Sequence, residues 1–235
     1  MNLLDLLAIL VFALSILFCM HRGFLVSAAK GISFFISWLL AYLFYPLFSA
    51  LLRTPGIISA FSSYLEGANK LGTSMMEIAS TPVAGISSQT INSFLDKSSI
   101  LFPYNNLIKS NIASQAFANQ GLTTMGQYCD RTMALVSINI LAFVILFVII
   151  RLICGFVVDI YDHSHSLPVL KQQDTLLAGV IGLLQGFLLC YCVFALTPII
   201  LSILDNAVMT DYVTQSTLGN FFYRFNFILS LIRGT

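Results

Sequence analysis

Residues 176–196 read LLAGVIGLLQGFLLCYCVFAL, and the fold follows from this stretch. It holds no charged side chain. As a helix rising about 1.5 Å per residue, it is long enough to cross a hydrocarbon core roughly 30 Å thick. A helix satisfies its backbone hydrogen bonds within the segment, so it is a form that lipid accepts. Taken to its apolar limits the span covers 175–204, with Thr197-Pro198 near its far end. That exceeds the required length, so tilt, a kink or helical extension beyond the bilayer is expected.

Three more such spans lie upstream. One covers 134–158, where the densest run, LAFVILFVII, is followed by Arg151. Another covers Leu3 to Met20, with Asp5 near its start, and closes on His21-Arg22-Gly23. A cleaved signal peptide wants its positive charge before the apolar run and small residues after it. Here Arg22 lies after the run and no A-x-A site follows, so the sequence predicts an uncleaved helix. The next span follows at once, from Phe24 to Leu52, with Lys30 inside and Pro46 near the far end. So short a turn between two spans makes a helical hairpin. Composition agrees: 58% of the 235 residues are hydrophobic and only 9% are charged. A soluble domain carries about 25% charged residues. With a net charge of +1 the chain offers no basic surface for phosphates, so nucleic acid is excluded as a partner.

Between the second and third spans the composition shifts to Ser, Asn, Thr and Gly, broken by Pro55, Pro82 and Pro103. Apolar residues still recur at helical spacing: Ile57, Phe61 and Leu65; Ile86, Ile91, Phe94 and Leu95; Leu107, Ile108, Ile112 and Phe117. Several short amphipathic helices are expected here. Leu218, Phe221, Phe222, Phe225, Leu229 and Ile232 form a similar stripe near the C-terminus. Such stripes pack on the bundle or lie in the lipid interface. The reading is an all-α, polytopic transmembrane bundle: a hairpin (1–53), an amphipathic helical insert (54–130), a second pair of spans (131–204) and a C-terminal amphipathic segment (205–235).

Four spans place both termini and the insert on one side and the short turns on the other. Arg22, Lys30, Arg151 and Lys171 lie near the short turns, against Arg53, Arg131 and Arg224 opposite. Positive-inside counting puts the short turns in the cytoplasm, and Arg151 then snorkels to the cytoplasmic headgroups. Cys19, Cys154, Cys190 and Cys192 sit in or beside apolar spans and only Cys129 is in the polar insert, so no disulfide framework is indicated.

The chain carries no H-E-x-x-H, G-x-x-x-x-G-K-[ST], G-x-S-x-G or paired C-x-x-C motif. The run Asp159-Ile-Tyr-Asp162-His163-Ser-His165 offers four possible metal ligands without tetrahedral spacing. It reads as a hydrated turn; neither metal nor cofactor nor catalytic residue is assigned. More informative are Gly179, Gly182 and Gly186, which fall within about 60° of one another at 100° per residue, the last two as G-x-x-x-G. Glycines so placed let another helix approach closely. Asp174 and Gln185 lie about three turns apart on the neighbouring stripe, and Lys30, Ser33, Ser37 and Ala41 form a small and polar stripe on the second span. Interhelical packing is the simpler reading; the alternative is a polar path through Lys30, Asp174 and Gln185, completed when several copies assemble.

The order of features resembles the colicin V production protein family. The resemblance rests on Asn2-Leu3-Leu4-Asp5 before an apolar helix and the His21-Arg22-Gly23-Phe24 turn into a second. An amphipathic insert, the span ending in Arg151, a polar turn and the run from Asp174 through Gly179 and Gly182 to Gln185-Gly186 follow. The insert is longer than in a typical member, and the C-terminal stripe matches no family motif. The resemblance implies a bacterial inner-membrane protein linked to production or export of a peptide bacteriocin, and more broadly to envelope function. Some similar proteins carry a trypsin-like protease outside the cytoplasm after four spans, which implies periplasmic termini and a periplasmic insert. The family offers no catalytic residues; Arg22, Gly23, Asp174, Gly179, Gly182 and Gly186 carry over as motif positions. The expectation is a non-enzymatic protein whose partners are the lipid bilayer and either further copies of itself or other membrane proteins. The alternative is a subunit of an oligomeric channel or pore. An intramembrane enzyme or metal-dependent hydrolase would rest on the Asp162-His163-Ser-His165 turn alone.

Overall fold

The computed structural model describes residues 2–71, 79–165, 173–204 and 207–235, without the side chains of 71, 88, 161–165 and 173–174. It is all-α, with one isolated bridge, Pro82 to Thr124, and no strand among the described residues. Four stretches are long and apolar enough to cross a membrane: Leu3–Arg22, Phe24–Leu52, Met125–Ile160 and Thr175–Leu204. The chain is a multi-pass membrane protein.

Helix α1 (Leu3–Arg22) starts in a capping box: Asn2 Oδ1 accepts from the amides of Leu4 and Asp5, while Asn2 N donates to Asp5 Oδ2 at 2.9 Å. Gly23, at φ 82° and ψ 169°, separates it from α2 (Phe24–Leu52). A side chain disfavours that backbone conformation, which gives the glycine of the Arg-Gly turn its physical meaning. Helices α3 (Pro55–Leu65), α4 (Ser88–Lys97) and α5 (Tyr104–Ala113) fall in the insert. Thr54 and Ser87 cap the first two, with Pro55 in the opening turn of α3, where its missing N–H costs nothing. Helix α6 (Met125–His165) begins earlier and ends later than the apolar run that announced it.

The fourth apolar stretch divides into α7 (Gln173–Phe194) and α8 (Thr197–Leu204), with Ala195 and Leu196 in a turn. Pro198 has no N–H to give to the carbonyl four residues back, so the interruption falls beside it. Helices α9 (Ala207–Gln215), α10 (Thr217–Arg224) and α11 (Phe227–Leu231) follow.

Two compact units organise these helices, and they cut across the segments read from composition. The first comprises Met1–Phe48, Ala142–Ala195 and Ala207–Phe227. Its main packing is α1 against α7, with α10 against both. Phe222, 1% exposed, sits among the rings of Phe12, Phe187, Tyr191 and Phe194, all with centroids 5.1–6.0 Å away. Offset and edge-on pairs at such distances are the favoured ones. Tyr223 is buried as well, and burial pushes its phenol up. Phe221 and Phe225 stay exposed, so the C-terminal stripe is only partly used in packing.

The second unit comprises Ser49–Leu141, Leu196–Asn206 and Ile228–Thr235. Every residue of α6 from Thr132 to Ile140 is buried. Polar groups along it are paired: Ser137 with the Tyr104 hydroxyl at 2.7 Å, Thr132 with Asn111 Nδ2 at 3.0 Å, and Asn139 with Ser49, Arg53 and the Arg233 carbonyl. Leu65, Ile91, Leu95, Ile108, Ile112 and Phe117, all on the predicted stripes, are buried in this unit.

Candidate functional site

In the first unit the glycines of α7 meet α1 directly. A Cβ on Gly182 would lie 2.6 Å from Ser15 O and 2.8 Å from Ile16 Cα, both backbone atoms of α1. On Gly186 it would meet Phe12 and Ser15 side chains at 3.2–3.3 Å, and on Gly179 the Met20 side chain at 3.4–3.5 Å. The seam is therefore tightest at its middle glycine. Gly31 of α2 lies comparably close to Ile181 and Gln185, 3.1 and 3.2 Å from its virtual Cβ.

Beside the seam, side chains from α1, α2, α6 and α7 line a cavity of about 460 Å³. Gln185 Nε2 donates to Ser27 O at 3.3 Å, and Ser27 Oγ donates to Cys19 O at 2.9 Å. Lys30 is buried and its Nζ lies 2.5 Å from Asp159 Oδ1; Arg22 reaches the same oxygen at 3.6 Å. Arg22 also stacks over the Phe18 ring at 4.2 Å. Arg151 Nη1 donates to Ser33 Oγ at 3.2 Å, and its guanidinium lies over the Phe34 ring at 5.6 Å. Ser33, Ser37 and Ala41, the rest of the α2 stripe, are buried.

The sequence-read positions thus converge in part. Arg22, Lys30 and Gln185 line one cavity, and Gly179, Gly182 and Gly186 form one seam, while Gly23 sets the turn. Asp174 falls in the first turn of α7, but its side chain lies outside those described, as do the side chains of Asp162, His163 and His165. Among the described residues no cluster of His, Cys, Asp and Glu has the arrangement of a metal site.

Two members of the cavity were not grouped with it in the sequence. Arg151 reads as a snorkelling residue and Asp159 as part of a polar turn. Arg151, Gly155 and Asp159 nevertheless recur every four residues, which puts two opposite charges on one helix face with a glycine between them. Asp5, which the sequence marks only as a charge near the start of the first span and part of the opening motif, is 1% exposed and accepts from Ser216 Oγ at 2.7 Å and Leu218 N at 2.8 Å, at the start of α10.

Comparison with known families decides the relationship: residues 109–227 match the model described as colicin V production protein. The chain belongs to the colicin V production protein family. The matched region begins inside α5 and covers α6 to α10, including Arg151, Asp159, Gln185 and the three seam glycines. No curated protein and no solved structure matches the chain. The matched region supplies one side of the seam and, to the cavity, Arg151, Asp159 and Gln185; α1, Arg22 and Lys30 lie outside it.

Proposed function

We propose that the chain is a non-enzymatic protein of the bacterial inner membrane that supports production or export of a peptide bacteriocin, or envelope homeostasis. It does so by holding partner membrane proteins or further copies of itself. Family membership supports the biological setting. The observation that favours a scaffold over a pore is the use made of Gln185: its amide is bonded to Ser27 O and lies beside Cys19, within one chain. A polar side chain at membrane depth needs a partner or water, and here the partner is intramolecular. The charge distribution favours cytoplasmic short turns, with both termini and the 54–130 insert in the periplasm.

The test pairs secretion with electrophysiology. In a strain that makes colicin V but lacks this chain, the wild type restores extracellular bacteriocin and Gly182→Leu does not. Wild-type protein in planar bilayers stays silent under voltage and tension. Reproducible unitary currents, altered by Gln185→Leu, would instead make the chain a subunit of an oligomeric channel. Alkaline phosphatase fused after Thr235 checks the orientation: an inactive fusion would place that terminus in the cytoplasm.

A further inference from the structure

We propose that the cavity bounded by Arg22, Lys30 and Arg151 binds the phosphate of an anionic phospholipid. The inference rests on the cavity alone and does not depend on the secretion role. Three cations, one each from α1, α2 and α6, face this cavity with one described carboxylate, Asp159. That carboxylate is 56% exposed and is shared by Lys30 and Arg22, through a single oxygen. Among the described residues no carboxylate lies within ion-pair distance of Arg151; it touches a hydroxyl and a ring face, and Asp159, already held by Lys30 and Arg22, acts on it only from further off. A cation on a membrane span is costly unless an opposite charge meets it. A phosphate entering the cavity would supply that charge; arginine presents a planar fork of donors to its oxygens and lysine a point charge.

The rim favours a lipid over a soluble anion. Phe18, Leu152 and Phe156 line the same cavity and are 60%, 68% and 67% exposed, on stretches apolar enough to cross the membrane. Free phosphate gains nothing from those surfaces, whereas an acyl chain attached to the bound headgroup lies along them. Basic pockets between membrane helices are a known setting for anionic headgroups.

Native mass spectrometry of the full chain, titrated with phosphatidylglycerol or phosphatidylcholine of identical acyl chains, tests the site. Phosphatidylglycerol is expected to bind more tightly, to weaken about fivefold in Arg151→Gln and again in Arg22→Gln, and to weaken with added salt. Phosphatidylcholine, whose phosphate is offset by its own choline cation, should bind more weakly and change less in these variants. Asp159→Asn removes the competing carboxylate and should strengthen phosphatidylglycerol binding, a gain that a misfolded variant cannot mimic. Equal binding of the two lipids, or phosphatidylglycerol binding untouched by Arg151→Gln and Asp159→Asn, would overturn the proposal. Displacement of the lipid by inorganic phosphate at equal concentration would overturn it too, assigning the cavity to a soluble anion.

Discussion

Helix α6 carries two apolar stretches with opposite fates. From Thr132 to Ile140 every side chain is buried, and Thr132, Ser137 and Asn139 are hydrogen-bonded to other parts of their unit. From Ile145 to Ile160 one face is open: Leu152, Ile153, Phe156 and Val157 are 59–68% exposed. The difference teaches that a hydrophobic run in such a chain does not say what covers it. Lipid and protein are equally apolar, so what marks the protein-covered stretch is its hydroxyl and amide groups, which need fixed partners.

Substitutions can break or sharpen this contrast. The largest effect is expected for Asn139→Leu, which deprives Ser49, Arg53 and the Arg233 carbonyl of a shared partner. A buried polar group left unpaired costs about 1–3 kcal/mol, more when it is charged, so a loss of about 3 kcal/mol should appear in a reversible unfolding titration in mild detergent. Ile138→Ala, at a side chain 1% exposed, should cost about 2 kcal/mol by the same titration, through the cavity it leaves. Leu152→Ala, at 68% exposure, should cost less than about 1 kcal/mol, because lipid fills the space. A Leu152→Ala penalty as large as that of Ile138→Ala would mean that protein, not lipid, covers the second stretch. A finer gauge comes from the seam, where melting temperature should fall further for Gly182→Ala, which meets backbone, than for Gly179→Ala, which meets the flexible Met20 side chain.

Much of this was legible in the sequence. Uninterrupted apolar length announced the four spans, and the spacing of Gly179, Gly182 and Gly186 announced a face that another helix could approach. Which helix would do so was not written there, because Ser15 and Ile16 of α1 look like any other lipid-compatible residues. Lys30 and Gln185 stood out as polar groups in apolar runs, yet their meeting with Asp159 and Ser27 depends on contacts 129 and 158 residues apart in the chain. Excess length and Pro198 made a kink in the fourth run one of the expected outcomes, without fixing that the helix breaks at Ala195 and Leu196. The all-round burial of 132–140 had no periodic sign, since a helix covered on every side shows no amphipathic stripe.

Asp5 gives synthesis a clock. Its bond to the Asn2 amide is local and available as soon as α1 forms, whereas Ser216 lies 211 residues later. At 5–20 residues per second, roughly 10–40 s of translation separate the carboxylate from the hydroxyl and amide that complete its shell. Through that interval α1 holds an acid whose tertiary partners do not yet exist. The bonds that tie the start of α1 to the start of α10 can close only once residue 218 has been made.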